Sequence, residues 1–169
     1  LVNLATQLVD QQEDTAICLF TVVKPPINFG PADVPELVEA KKQEQHKILK
    51  AITPIAMQQN VPIYAKLKAA SRVEEGIFSE LSRHKDVNLV ILGYPQDHAK
   101  VEFPNNIIKE VMMMANRNVA VLRDRGLPNP IRRILVPVGS GPNARLALQL
   151  AHDIVLPNDE GEIVALRLV

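Results

Sequence analysis

Apolar residues at Leu1, Leu4, Ala5 and Leu8 recur at helical spacing, and Thr15-Ala16-Ile17-Cys18-Leu19-Phe20-Thr21-Val22-Val23 follows as a nearly continuous β-rich run. The pattern therefore opens on a helix over 1–11 and a strand over 15–23. Pro25, Pro26, Gly30, Pro31 and Pro35 make the next segment a loop. A long helix is expected over 36–59, with Leu37, Val38, Ile48, Leu49, Ile52, Ile55 and Ala56 on its buried face and Pro54 kinking it.

Residues 62–69 alternate like a strand, and Ser71-Arg72-Val73-Glu74 reads as a capping box opening a helix that runs to His84. Val87-Asn88-Leu89-Val90-Ile91-Leu92-Gly93 is the short apolar run of a strand covered on both faces of a parallel sheet. A helix over 105–115 and a strand over 119–123 come next. Gly126, Pro128 and Pro130 then interrupt regular structure before a strand over 134–138, a helix over 142–156 with Pro142 in its first turn, and a strand over 163–169. Strands separated by helices at this rhythm predict an α/β fold with a doubly wound parallel sheet. Ligands in such sheets sit beyond the carboxyl ends of the strands, here after Val23, Ala69, Gly93, Arg123 and Val138.

The chain repeats itself. Leu4-Ala5-Thr6-Gln7-Leu8 and its strand are echoed by Leu146-Ala147-Leu148-Gln149-Leu150 and Glu162-Ile163-Val164-Ala165-Leu166-Arg167-Leu168-Val169. The second copy also has Arg132-Arg133-Ile134-Leu135-Val136-Pro137-Val138 ahead of its helix, which the first lacks. The expected organisation is a first unit over 1–123 without its first strand, a linker over 124–131, and the start of a second unit over 132–169. The fold is thus read as truncated or permuted, a piece of a longer protein.

Composition narrows the chemistry. With 169 residues, 47% of them hydrophobic, the chain can bury one core. Its 19 basic and 19 acidic side chains leave no net field, so nucleic acid is not an expected partner. Cys18 alone makes neither a disulfide framework nor a metal pattern, which fits a cytoplasmic setting. His46, His84 and His152 have no metal-ligand spacing, and Asp97, His98, Lys100 and Glu102 are neighbours in one polar loop with no nucleophile spaced to meet them. Met112, Met113 and Met114 suit packing and an interface. No enzyme is expected.

The order of elements, the strand Leu89-Val90-Ile91-Leu92-Gly93, the strand Ile134-Leu135-Val136-Pro137-Val138 and its helix with Ala144-Arg145-Leu146-Ala147-Leu148 resemble the universal stress protein superfamily, of the adenine nucleotide alpha hydrolase-like fold. Asp124-Arg125-Gly126-Leu127 leading into Arg132–Ala144 is similar to the joint between tandem stress-protein domains at the cytoplasmic end of bacterial amino-acid permeases and cation/proton antiporters. Nucleotide-binding members carry Gly-x2-Gly-x9-Gly-Ser/Thr after the fourth strand, where amides and a hydroxyl hold phosphates. Registered on Gly93, that motif meets Gln96, Asn106 and Ile107, so only its first position is kept. The family's first strand also ends in an aspartate, whereas Val138 is followed by Gly139-Ser140-Gly141.

The candidate ligand-binding residues are accordingly Gly93 and Asn106 on one loop, and Gly139, Ser140, Gly141 and Asn143 on another. Gly139-Ser140-Gly141 reads either as a tight turn capped by Ser140 or Gly141, or as an anion cradle at a helix start. The resemblance implies a non-catalytic regulatory module in the cytoplasmic part of a membrane transporter, partnered by a sister domain or a second copy and by the transmembrane part of the parent chain; its strand order also implies that Ile134–Val138 fills a central sheet position, in its own chain or, by exchange, in a partner. No cofactor is expected. The alternative is an adenine-nucleotide domain, binding ATP, AMP or a cyclic dinucleotide with weak hydrolysis. Nucleotide-activating enzymes of related folds need Ser-Gly-Gly-x-Asp-Ser or His-x-Gly-His, and the sequence has neither.

Overall fold

In a computed structural model of the chain, residues 2–9, 15–94, 104–126 and 130–167 are described, the side chains of 2, 3 and 104–106 excepted. The elements in chain order are α1 (Val2–Gln7), β1 (Ile17–Val23), α2 (Val34–Gln58), β2 (Ile63–Ala69), α3 (Val73–Arg83), β3 (Leu89–Gly93), α4 (Pro104–Met114), β4 (Asn118–Leu122), β5 (Arg133–Val138), α5 (Pro142–Val155) and β6 (Glu162–Arg167). The alternation of helix and strand is the one the hydrophobic pattern predicts, and the protein is α/β.

The sheet differs from the prediction. The described strands form three separate parallel pairs, β1 with β2, β3 with β4 and β5 with β6, and not one doubly wound sheet. Each pair is the product of a β-α-β crossover, which closes neighbours in sequence and needs nothing from elsewhere in the chain. The resemblance places a further strand between β1 and β3, and among the described residues no strand pairs with the other edge of either. Residues 134–138, expected at that central position, pair with Ile163–Arg167 instead.

Helices cover both faces of the first pair. Val22 of β1 and Lys66 and Lys68 of β2 share a face by register, and α3 lies on it, Gly76 against Val22, Glu80 against Lys66 and Ser79 against Lys68. The other face carries α2, whose Gln45 is buried over the β1–β2 seam. Its Nε2 sits 2.9 Å from the Leu19 carbonyl, 2.9 Å from Thr21 Oγ1 and 2.7 Å from the Lys66 carbonyl, so two hydrogens serve three acceptors. The carbonyls also belong to the strand ladder, so replacing Gln45 strands none of them; Gln45→Leu is expected to cost about 1 kcal/mol in urea unfolding.

Two local expectations are corrected, at Ile48 and at Ser71. Ile48, assigned to the buried face of α2, is 51% exposed; Ala56 is buried as expected, and Gln45, not assigned to that face, is buried as well. The capping box at Ser71 is not formed. Arg72 is the residue before α3, Ser71 Oγ donates to Glu75 Oε2 at 2.9 Å, and Glu74 pairs with Arg72. The helix α2 runs through Pro54, where Thr53 Oγ1 donates to the Leu49 carbonyl one turn back at 2.7 Å.

The buried apolar residues among those described are small: Val23, Val61, Val111, Val136 and Val155, with Ala5, Ala56 and Ala151. Strand residues that belong in the middle of a parallel sheet, Leu89 to Leu92 among them, are only half-buried. One face of the β5–β6 pair is bare, since Leu135, Val164 and Leu166 are 59%, 38% and 44% exposed while Val136 on the α5 side is buried.

Candidate functional site

The residues picked out from the sequence fall on two different strand pairs. Gly93 is the exposed last residue of β3, and Asn106 lies in the first turn of α4. The loop between them, with Gln96, Asp97, His98, Lys100 and Glu102, falls outside the described residues. Gly139, Ser140 and Gly141 join β5 to α5, and Asn143 is in the first turn of α5. The cap of that helix is Gly141, at φ 130° and ψ 175°, a conformation that requires glycine. Ser140 is exposed and no side chain caps the helix.

The carboxyl end of the β3–β4 pair brings Tyr94 and the end of the expected strand, Arg123, together with the first residues of the expected linker, Asp124 to Gly126. The Tyr94 amide donates to the Leu122 carbonyl at 2.7 Å, which carries the ladder one residue past β3. The Arg123 guanidinium lies 5.5 Å from the centre of the Tyr94 ring, a cation–π stack. Asp124 Oδ1 accepts the Gly126 amide at 2.8 Å, closing a turn in which Gly126 takes φ 84°. Arg123, Asp124, Arg125 and Gly126 line an open cleft of about 440 Å³. Its lining combines two arginines with one aspartate, so it is polar and of mixed charge. The signal was available in the sequence, as Arg-Asp-Arg-Gly at a strand's carboxyl end, and was masked by the glycine and prolines after it.

A second cluster joins β2 to α3. Lys66 Nζ donates to Glu80 Oε1 at 2.7 Å and lies 2.5 Å from His84 Nε2, and His84 is 3.2 Å from the same carboxylate. The hydrogen bond to Glu80 holds the Lys66 ammonium above its ordinary range, and the same bond holds the Glu80 carboxyl below its own. Burial pushes the Cys18 thiol up despite its hydrogen bond with Tyr64. A lysine nucleophile needs a lowered pKa and a reactive cysteine needs a thiolate, so both shifts run opposite to covalent catalysis. The cluster works as an ion pair that fixes α3 on β2.

Its pH dependence follows from the directions. Glu80 contributes stability above its ordinary value of 4.5, lost as pH falls through the lower folded value. Lys66 contributes below its ordinary value of 10.5, lost as pH rises through the higher folded value. Glu80→Gln is therefore expected to leave a shallower fall of melting temperature below pH 4.5 than the unmodified protein shows, followed by circular dichroism.

Among the described residues no three histidine, cysteine, aspartate or glutamate side chains are grouped to hold a metal ion, and no helix is long and apolar enough to cross a membrane. Compared with known protein families and with curated proteins, the sequence matches no family model and no curated relative.

Proposed function

We propose that the chain is a non-catalytic regulatory module of the universal stress protein type, acting in the cytoplasmic part of a larger membrane transporter by pairing with a sister domain. The observation that carries the reading is the set of parallel strand pairs with open inner edges and half-exposed apolar strands. Such edges are association surfaces. The doubly wound sheet implied by the resemblance is, in this reading, completed when the pairs are brought together with a partner. The mechanism is linkage: whatever binds one paired arrangement better than another biases the attached machinery by that difference in affinity.

The test is calorimetry with ATP, AMP and a cyclic dinucleotide, with phosphate release measured in parallel. ATP is expected to bind no better than millimolar and not to be hydrolysed, because Gly93 stands alone of the motif and the Gly139–Gly141 turn is on a different strand pair. A ligand present at a hundred times its dissociation constant adds about 2.7 kcal/mol to stability, so thermal shifts report any tighter binder. Micromolar ATP affinity that disappears in Gly93→Val overturns the reading in favour of a nucleotide-binding domain.

A further inference from the structure

One nitrogen at the end of α3 has two neighbours that ask opposite things of it. Lys66 Nζ lies 2.5 Å from His84 Nε2, and Glu80 Oε1 lies 3.2 Å from the same atom. An ammonium only donates and an ionised carboxylate only accepts. The first therefore requires a lone pair on Nε2 and the second a proton there, and Nε2 cannot serve both at once.

The two ways of settling this differ in which elements they join. With Nε2 bare, Lys66 bonds both Nε2 and Glu80 Oε1, 2.7 Å away, and the imidazole proton sits on Nδ1, which faces Asp86 Oδ1 at 3.8 Å. Those bonds cross from β2 to α3. With Nε2 protonated, imidazolium and ammonium would stand in contact, so Lys66 has to withdraw while His84 donates to Glu80. Glu80 and His84 are one helical turn apart, and the His84 amide already bonds the Glu80 carbonyl at 3.0 Å as the cap of α3. The helix dipole favours a positive charge at that end. Protonation thus exchanges a bond between elements for one within the helix.

We propose that His84 is the proton-sensing member of a clamp between β2 and α3: neutral, it holds Lys66 at Nε2, and protonated, it takes the Glu80 carboxylate and releases Lys66. This goes beyond the pairing proposed above and does not depend on it.

The surroundings leave control of the clamp to the imidazole. Cys18 of β1 and Tyr64 of β2 are register partners on the face that α3 covers, and burial pushes both the thiol and the phenol up, so both stay neutral at neutral and acidic pH. Lys68 of β2 is bonded to Ser79 Oγ. Asp86 is exposed, Glu110 of α4 is tied to Arg72 at the other end of α3, and Arg117, ahead of β4, donates to the Lys85 carbonyl at 3.2 Å. Among these side-chain types imidazole is the one that titrates between about pH 5 and about pH 8. His84 is open enough to take its proton from water, and Glu80 is the most buried of the three, which strengthens whichever bond it makes.

Imidazole nitrogen shifts, read by NMR on the full chain, distinguish the two tautomers. At about pH 8 neutral His84 is expected to carry its proton on Nδ1 in about tenfold excess, the factor that one hydrogen bond to a charged group supplies. Lys66→Met leaves Nε2 facing the carboxylate without the ammonium and is expected to move the proton to Nε2. As the pH falls to about 5, nuclear Overhauser contacts between the Lys66 ε-methylene and the His84 ring should be lost in step with protonation of the ring. The two readings on the unmodified protein decide the question even if Lys66→Met does not fold. A neutral His84 with its proton on Nε2, or ring contacts with Lys66 that persist once the ring is protonated, overturns the clamp. A folded Lys66→Met that keeps the proton on Nδ1 overturns Lys66 as the group that His84 holds.

Discussion

Gly76→Ala is expected to lower the stability of the protein by about 1 kcal/mol, and in combination with Val22→Ala the two losses should be clearly less than additive. A Cβ at position 76 would stand 2.6 and 2.8 Å from the two γ-methyls of Val22 and 3.3 Å from its Cβ. Valine is branched at Cβ and cannot swing both methyls aside, so α3 has to lift from β1. Overpacking of this kind costs about 1–3 kcal/mol, and the better helix propensity of alanine returns about 1 kcal/mol, so the clash wins. With Val22 also truncated the clash vanishes while the propensity gain stays. Urea unfolding of the two single variants and the double variant gives the coupling; additive losses would mean that α3 does not sit on β1 as described.

That contact also explains what the sequence could and could not convey. The alternation of helix and strand was legible because each β-α-β unit is closed by local pattern: Leu89 to Gly93 is apolar throughout, and Pro142 with Gly141 marks a helix start whatever surrounds it. The assembly of the strands was not. Sheet order depends on which edges meet, and the residues of β1 and β5 look alike in hydrophobicity whether they are central or open. The same holds for side chains. Ile48 has the apolar spacing of a buried residue and lies 51% exposed, whereas the polar Gln45 is buried because strand carbonyls and Thr21 receive it.

The candidate site was legible in part for a related reason. Gly141 was recognised as a possible cap because a glycine before a helix-opening proline has few other uses, and its φ of 130° is one that side-chain-bearing residues rarely adopt. Arg123 beside Tyr94 was missed because the two are 29 positions apart in sequence, and only the parallel register of Gly93 with Leu122 brings the ends of β3 and β4 level. Cation–π contacts of this sort leave no local spacing to read.

Gly161→Ala should be the more damaging glycine substitution, with an expected loss of about 3 kcal/mol. A Cβ there would lie 2.8 Å from Val155 Cβ, 2.8 Å from the Val155 carbonyl oxygen and 2.9 Å from the Asn158 carbonyl oxygen. Two of the three obstacles are backbone and have no rotamer to change. Both carbonyls are also engaged, accepting the Asn158 amide at 2.9 Å and the Gly161 amide at 2.8 Å. Asn158 Nδ2 donates to the Ile131 carbonyl at 3.3 Å, so the turn that must open is tied to the segment leading into β5. Gly139→Ala is the control: nothing lies within 4 Å of its added carbon, and its cost should stay within about 0.5 kcal/mol. Opening the turn loosens the Glu162 amide from the Arg132 carbonyl, a 2.7 Å bond at the start of the β5–β6 ladder. Urea unfolding of Gly161→Ala beside Gly139→Ala reads the difference, and equal losses in the two variants would show that the turn between α5 and β6 is not packed as described.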